Sequence, residues 1–245
     1  MTYFQETLRR LASRFVARDI MKPTGELVSA DSEDGARWRL EENPEYDIIP
    51  IAGNGKLLAF LERGQSRQRR IQIQHVIGAG TPISDVVDSL CDQRFVFVVG
   101  RHEVIGLVHF SELNDPVVKL PFFVLLEGVE RRLADAIKGL VTDEVLPDLI
   151  QDQQRLDGIR GKMAKLRTNQ ADRDWVTLMY FREILEAAKY FRKLSLESEK
   201  IELLSVIRNR VGHAAAEEPV ESHTDVQQLS QARQLCISIL INGSA

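Results

Sequence analysis

The stretch "FVFVVGRHEVIGLVHF", Phe95–Phe110, decides how the first half of the chain is read. An apolar run, a short polar turn and a second apolar run spell strand, tight turn, strand. The same arrangement stands upstream in "DIIPIAGNGKLLAFL", Asp47–Leu61, with Gly-Asn-Gly-Lys at the turn. A helix-like segment precedes each pair: "DSEDGARWRLEEN" before the first and "TPISDVVDSLCDQ" before the second. In the second segment Thr81, Pro82, Ser84 and Asp85 make a helix start. Residues from about Phe15 to Asn114 therefore hold two copies of one unit, at a period of roughly 50–60 residues. One copy alone cannot bury both faces of so small a sheet, so the two are expected to pack together.

From Lys119 onward the strand rhythm gives way to helical stripes. One runs through Phe122, Leu125, Leu126, Val129, Leu133 and Ile137. Others lie in "WVTLMYFREILEAAKYF", "LESEKIELLSVIRNRV" and "DVQQLSQARQLCISILI". The pattern predicts four or five helices, with Trp175 and Tyr180 in their core. The boundary falls near "NDPVVKLP", where Pro116 and Pro121 bracket a short connector. The fold class is α+β, with a duplicated α/β module over 1–118 and an all-helical domain over 119–245.

Net charge is -4, and neither half is basic: 14 Lys and Arg against 17 Asp and Glu up to residue 118, then 18 against 19. Any contact with nucleic acid must be local, because neutralising phosphate dominates stable binding. Two cysteines without a C-x-x-C, Cys91 and Cys236, fit a reducing compartment and offer neither a disulfide framework nor a zinc site. No apolar run reaches membrane-spanning length, and "MTYFQETLRRLASRF" is amphipathic and unlike a signal peptide. These features place the chain in the cytoplasm, with no membrane partner.

"ARDIMKP" (Ala17–Pro23), the two strand pairs and "GAGTPISDVVDSL" together resemble tandem CBS domains, in β-α-β-β-α repeats, over residues 15–115. The resemblance implies a dimerising module with an adenine nucleotide as effector, held in clefts between the repeats. In such repeats a strand glycine is followed by Thr or Ser, for phosphate, and three residues later by Asp, for ribose. Here Gly106 leads to His109 and Glu112, the candidate ligand contacts of repeat two. In repeat one Ala59, Glu62 and Gln65 stand at these places, and Glu62 would repel phosphate. Arg63 and Arg67, from "RGQSRQRR", are further candidates, because a guanidinium matches phosphate in a bidentate fork.

Near the C-terminus stands R-N-R-V-G-H, Arg208–His213. Arginine is a permanent cation suited to phosphate, and histidine moves protons near neutrality. Together they suffice for RNA cleavage by the substrate's own 2′-hydroxyl, with no metal and no required cofactor. Gly212 is a natural helix terminator, freeing His213 to turn back toward Arg208. In an all-helical domain this spacing resembles the Arg-x4-6-His motif of HEPN domains, over about residues 119–243. The resemblance implies a ribonuclease whose site forms across a homodimer, with Arg208 on the scissile phosphate, His213 as acid or base and Asn209 assisting. By fold-level analogy such a protein serves stress response, phage defence or toxin-like growth control.

Overall fold

The computed structural model describes residues 14–168, 173–212 and 220–242. The fold is mixed α and β, and the chain divides into two compact units. The first takes in residues 14–118 with 220–227. The second takes in the described part of 119–212 with 228–242.

The first unit runs α1 (Ala17–Ile20), β1 (Lys22–Pro23), α2 (Glu33–Glu42), β2 (Ile48–Gly53), β3 (Lys56–Glu62), β4 (Arg69–Arg70), β5 (Val76–Gly78), α3 (Ile83–Leu90), β6 (Phe95–Gly100) and β7 (Glu103–His109). Two sheets result, in the orders β1-β7-β6-β5 and β2-β3-β4. The duplication has a repeat of 47 residues, shorter than the 50–60 expected: β2 returns as β6, β3 as β7 and β1 as β4. Both hairpins carry a register shift at the same place, Ile51/Ala52 and Val98/Val99. Both turns use a left-handed residue at the same place, Asn54 (φ 52) and Arg101 (φ 29). The period read long because the helices ahead of the strand pairs, Glu33–Glu42 and Ile83–Leu90, start 50 residues apart, whereas the strands keep the 47-residue spacing.

The two copies exchange edges. β1, which precedes copy one, pairs antiparallel with β7 of copy two. β4, which precedes copy two, pairs antiparallel with β3 of copy one. The β1–β7 approach depends on Gly106, where a Cβ would lie 2.7 Å from the Lys22 carbonyl oxygen and 2.7 Å from Met21 Sδ. Strand alternation sets the core. Ala59 and Leu61 of β3 pack with Ala36 and Leu40 of α2, whereas Phe60 between them joins Phe95, Phe97 and Leu107 of the other sheet. β6 is apolar on both faces and Phe95–Val98 are all buried.

The second unit holds α4 (Pro116–Ile137) from Lys119 on, α5 (Leu146–Leu149), α6 (Gln153–Thr168), α7 (Phe181–Tyr190), α8 (Ser198–Gly212) and the later part of α9 (His223–Asn242). Phe122, Leu126, Val129, Leu133 and Ile137 form the buried stripe of α4. Several expectations are corrected here. "NDPVVKLP" is no connector: α4 starts at Pro116 and runs through Pro121. A proline at the first helical position costs no hydrogen bond, and Pro121 removes one donor near the start of a long helix. "WVTLMYFREILEAAKYF" is not one helix either. Asp174 caps a 3-10 turn at Trp175–Leu178 by accepting from Val176 N, and Glu183 then accepts from Tyr180 N to start α7. Tyr180 lies outside the core, 63% exposed, with the Arg155 guanidinium 3.6 Å from its ring. The sequence marks no helix at α6, whose buried stripe is only Leu156, Ile159 and Met163.

Candidate functional site

A cavity of about 260 Å³ opens in the first unit, where β1, the entry to β2 and the exit of β7 meet. The apolar part of its lining includes Leu27, Ile48 and Leu107, and the polar part, the rim, is Lys22, Glu45, Asp47, His109, Ser111 and Glu112. The edge exchange explains the composition. β1 brings Lys22 beside the end of β7, and Asp47 opens β2 opposite His109.

His109 holds the rim together. Its Nδ1 lies 2.9 Å from Ser111 Oγ and accepts from the Ser111 backbone N–H at 3.3 Å. A backbone N–H only donates, so Nδ1 is the acceptor and Nε2 carries the hydrogen. Nε2 donates to Asp47 Oδ2 at 3.2 Å, and Asp47 Oδ1 accepts from Arg94 at 3.1 Å. Glu112 Oε2 accepts from the His109 backbone N–H at 2.7 Å. The sequence placed His109 on phosphate and Glu112 on ribose. Both line the cavity, but in this structure His109 is tied to Asp47 and one oxygen of Glu112 caps the turn after β7.

Arg63 and Arg67 do not line the cavity. The Arg63 guanidinium donates to the carbonyls of Leu40, Asn43 and Tyr46 at 2.6, 2.7 and 3.0 Å, closing the C-terminal end of α2. Arg67 is exposed. Sequence reasoning missed Lys22, Asp47 and Ser111. Lys22 and Asp47 come from remote segments, and the 47-residue repeat is the signal that finds them, because it matches Lys22 to Arg69 and Asp47 to Arg94.

The same repeat matches the cavity to a second place in the unit, and aromatic rings gather there. Phe60 meets His75, Phe95 and Phe97 at ring-centroid distances of 5.1, 5.3 and 5.6 Å. Arg69 reaches over Phe60 and pairs with Glu62 at 3.0 Å. Glu62 thus faces an arginine. His75 is 5% exposed; burial chiefly, and Arg69 next, push its pKa below the ordinary value.

In the second unit, Arg208 lies one turn before the end of α8, half-buried. Its guanidinium carbon sits 5.0 Å from the Phe123 ring centroid, and Nε is 3.6 Å from Glu130 Oε2. Burial pushes Glu130 above the ordinary carboxylate value, and the neighbouring Arg208 pulls it back only in part. Arg208 Nη1 lies against the bare Cα of Gly212, where a Cβ would collide with it. Asn209 is exposed, and His213 lies outside the described residues. Among the described residues, no group of three His, Cys, Asp or Glu side chains is arranged to hold a metal ion, and no helix is long and apolar enough to cross a membrane.

The chain matches no protein family model and no curated protein. Among solved structures it is similar to the CBS domain of the bacterial CNNM/CorC family Mg2+ transporter. In complex with the inhibitor IGN95a that domain aligns at TM-score 0.34 and 15% identity, over 48% of this chain and 86% of that one. In complex with ATP the figures are 0.34 and 14%, over 47% and 94%.

Proposed function

We propose that the chain is a ligand-regulated, metal-independent RNA endonuclease acting as a homodimer, with its first unit as a sensor of an adenine nucleotide. The cavity between β1, β2 and β7 carries this reading: it is concave, apolar in part of its lining and polar along the rim, the usual make-up of a small-molecule site. Because aromatic rings gather at its counterpart, the reading gives one ligand per chain. The output rests on Arg208, Asn209 and His213. Arg208 holds the scissile phosphate, and the substrate 2′-oxygen attacks phosphorus as the bond to the 5′-oxygen breaks. His213 moves a proton in that exchange, and Asn209 orients the partners. The products are a 2′,3′-cyclic phosphate and a 5′-hydroxyl. Two copies face each other across the dimer axis, so each chain supplies one set.

A second reading has its own support. The Glu130 and Phe123 contacts of Arg208 are also those of a structural ion pair. On that reading the protein is a non-catalytic sensor, and its helical unit docks a protein or nucleic-acid partner. Incubating the whole protein with mixed RNA in EDTA, with and without ATP, ADP, AMP or cyclic oligoadenylates, separates the two. Fragments ending in 2′,3′-cyclic phosphate from wild type, and none from His213→Ala or Arg208→Ala, support the nuclease. Intact RNA under every condition leaves the adaptor.

A further inference from the structure

The rim of the cavity has a charge that bears on its ligand. Glu45, Asp47 and Glu112 line the cavity together with one lysine, Lys22. His109 spends both ring nitrogens within the rim, Nε2 on Asp47 and Nδ1 on the Ser111 backbone N–H. Arg94 offsets Asp47 from outside the lining and leaves the rim negative. Arg63 and Arg69 lie outside the lining and are committed elsewhere, Arg63 to three carbonyls and Arg69 to Glu62. Backbone donors at the rim are used too, since His109 N–H goes to Glu112 and Ser111 N–H to the imidazole. A phosphate entering here meets Lys22 and three carboxylates. Size points the same way. About 260 Å³ is below the roughly 300–1,000 Å³ usual for ligand sites, which favours a ligand without a polyphosphate tail.

From this charge and volume we infer that the cavity takes the uncharged nucleoside in preference to its phosphates. The base lies on Leu27, Ile48 and Leu107, and the sugar hydroxyls donate to rim carboxylates, which only accept. The inference rests on the reading of this cavity as a nucleotide-type ligand site and narrows it.

Isothermal titration of the full-length protein with adenosine, guanosine, cytidine and uridine, and with the 5′-mono- and triphosphate of each, tests it. For the base that binds, the nucleoside is expected to bind at least tenfold more tightly than its triphosphate. Glu45→Gln, which changes an exposed side chain, should shrink that ratio severalfold by improving the triphosphate arm, and so should raised salt. A triphosphate that binds as tightly as its nucleoside, or more tightly, overturns the inference and leaves the site standing. No heat and no thermal shift from any of the twelve compounds overturns the site and the inference with it.

Discussion

His75 and Gly212 show how one residue's surroundings fix its consequence. His75 titrates near 6.5 when the chain is unfolded, and burial lowers that value in the folded protein. Between the two values the unfolded chain binds a proton that the folded one refuses. Stability therefore rises with pH up to about 6.5 and is level above it. Urea midpoints across pH 4.5–7.5 should show this slope, and His75→Gln should flatten it. Gly212 is a second case. It ends α8 without a left-handed φ, so alanine fits the backbone, and on helix propensity adds about 1 kcal/mol. Its Cβ would, however, push the Arg208 guanidinium off its seat. On the nuclease reading, Gly212→Ala should lower kcat ten- to a hundredfold while Tm holds or rises, since small misplacements of a catalytic group cost about that much. Equal kcat for Gly212→Ala and wild type would show that the seat of Arg208 does not matter for cleavage.

At the scale of elements, apolar runs marked the four hairpin strands and most helices but not the edge strands β1 and β4, which are Lys-Pro and Arg-Arg, and side-chain oxygens set helix boundaries that periodicity missed. α6 went unseen because its stripe has three apolar residues among sixteen. The break before α7 went unseen because two carboxylates, Asp174 and Glu183, make it by capping. Arg63 is the clearest case of a residue whose role lies in the element it closes. The sequence offered it to phosphate, but its fork fastens the end of α2 to the entry of β2. Arg63→Ala should cost roughly 1–2 kcal/mol in chemical denaturation, the scale of a lost helix cap or charge-assisted hydrogen bond. Arg63→Lys should recover less than half, because one ammonium cannot reproduce the planar fork. If nucleoside affinity fell in Arg63→Lys while stability held, Arg63 would belong to the ligand site after all. Of the site itself, His109 and Glu112 were legible because they close a motif. Lys22 and Asp47 were not, because an exchanged edge strand brings them there.

For the whole molecule, the duplication was visible in the sequence and the manner of its packing was not. The continuous apolar runs of β3 and β6 signal two buried faces, but only the fold reveals that Phe60, Phe95 and Phe97 cluster at the place the repeat matches to the cavity. These rings make their contacts within the first unit, so the unit's own stability rests on them. Phe97, fully buried against Phe60 and Phe95, gives a graded test. Phe97→Leu keeps the site apolar and leaves a small cavity, which should cost on the order of 1–2 kcal/mol, less than the 3–5 kcal/mol typical of Phe→Ala. If the two units open separately, hydrogen exchange followed by mass spectrometry should quicken by about five- to thirtyfold in the slow amides of residues 14–118 and 220–227, and hold at wild-type rates in α6, α7 and α8. Equal quickening throughout would mean that the chain opens as one cooperative block. A ligand bound at the cavity would then raise the stability of the helical unit as much as that of its own, giving sensing and output a single unfolding equilibrium.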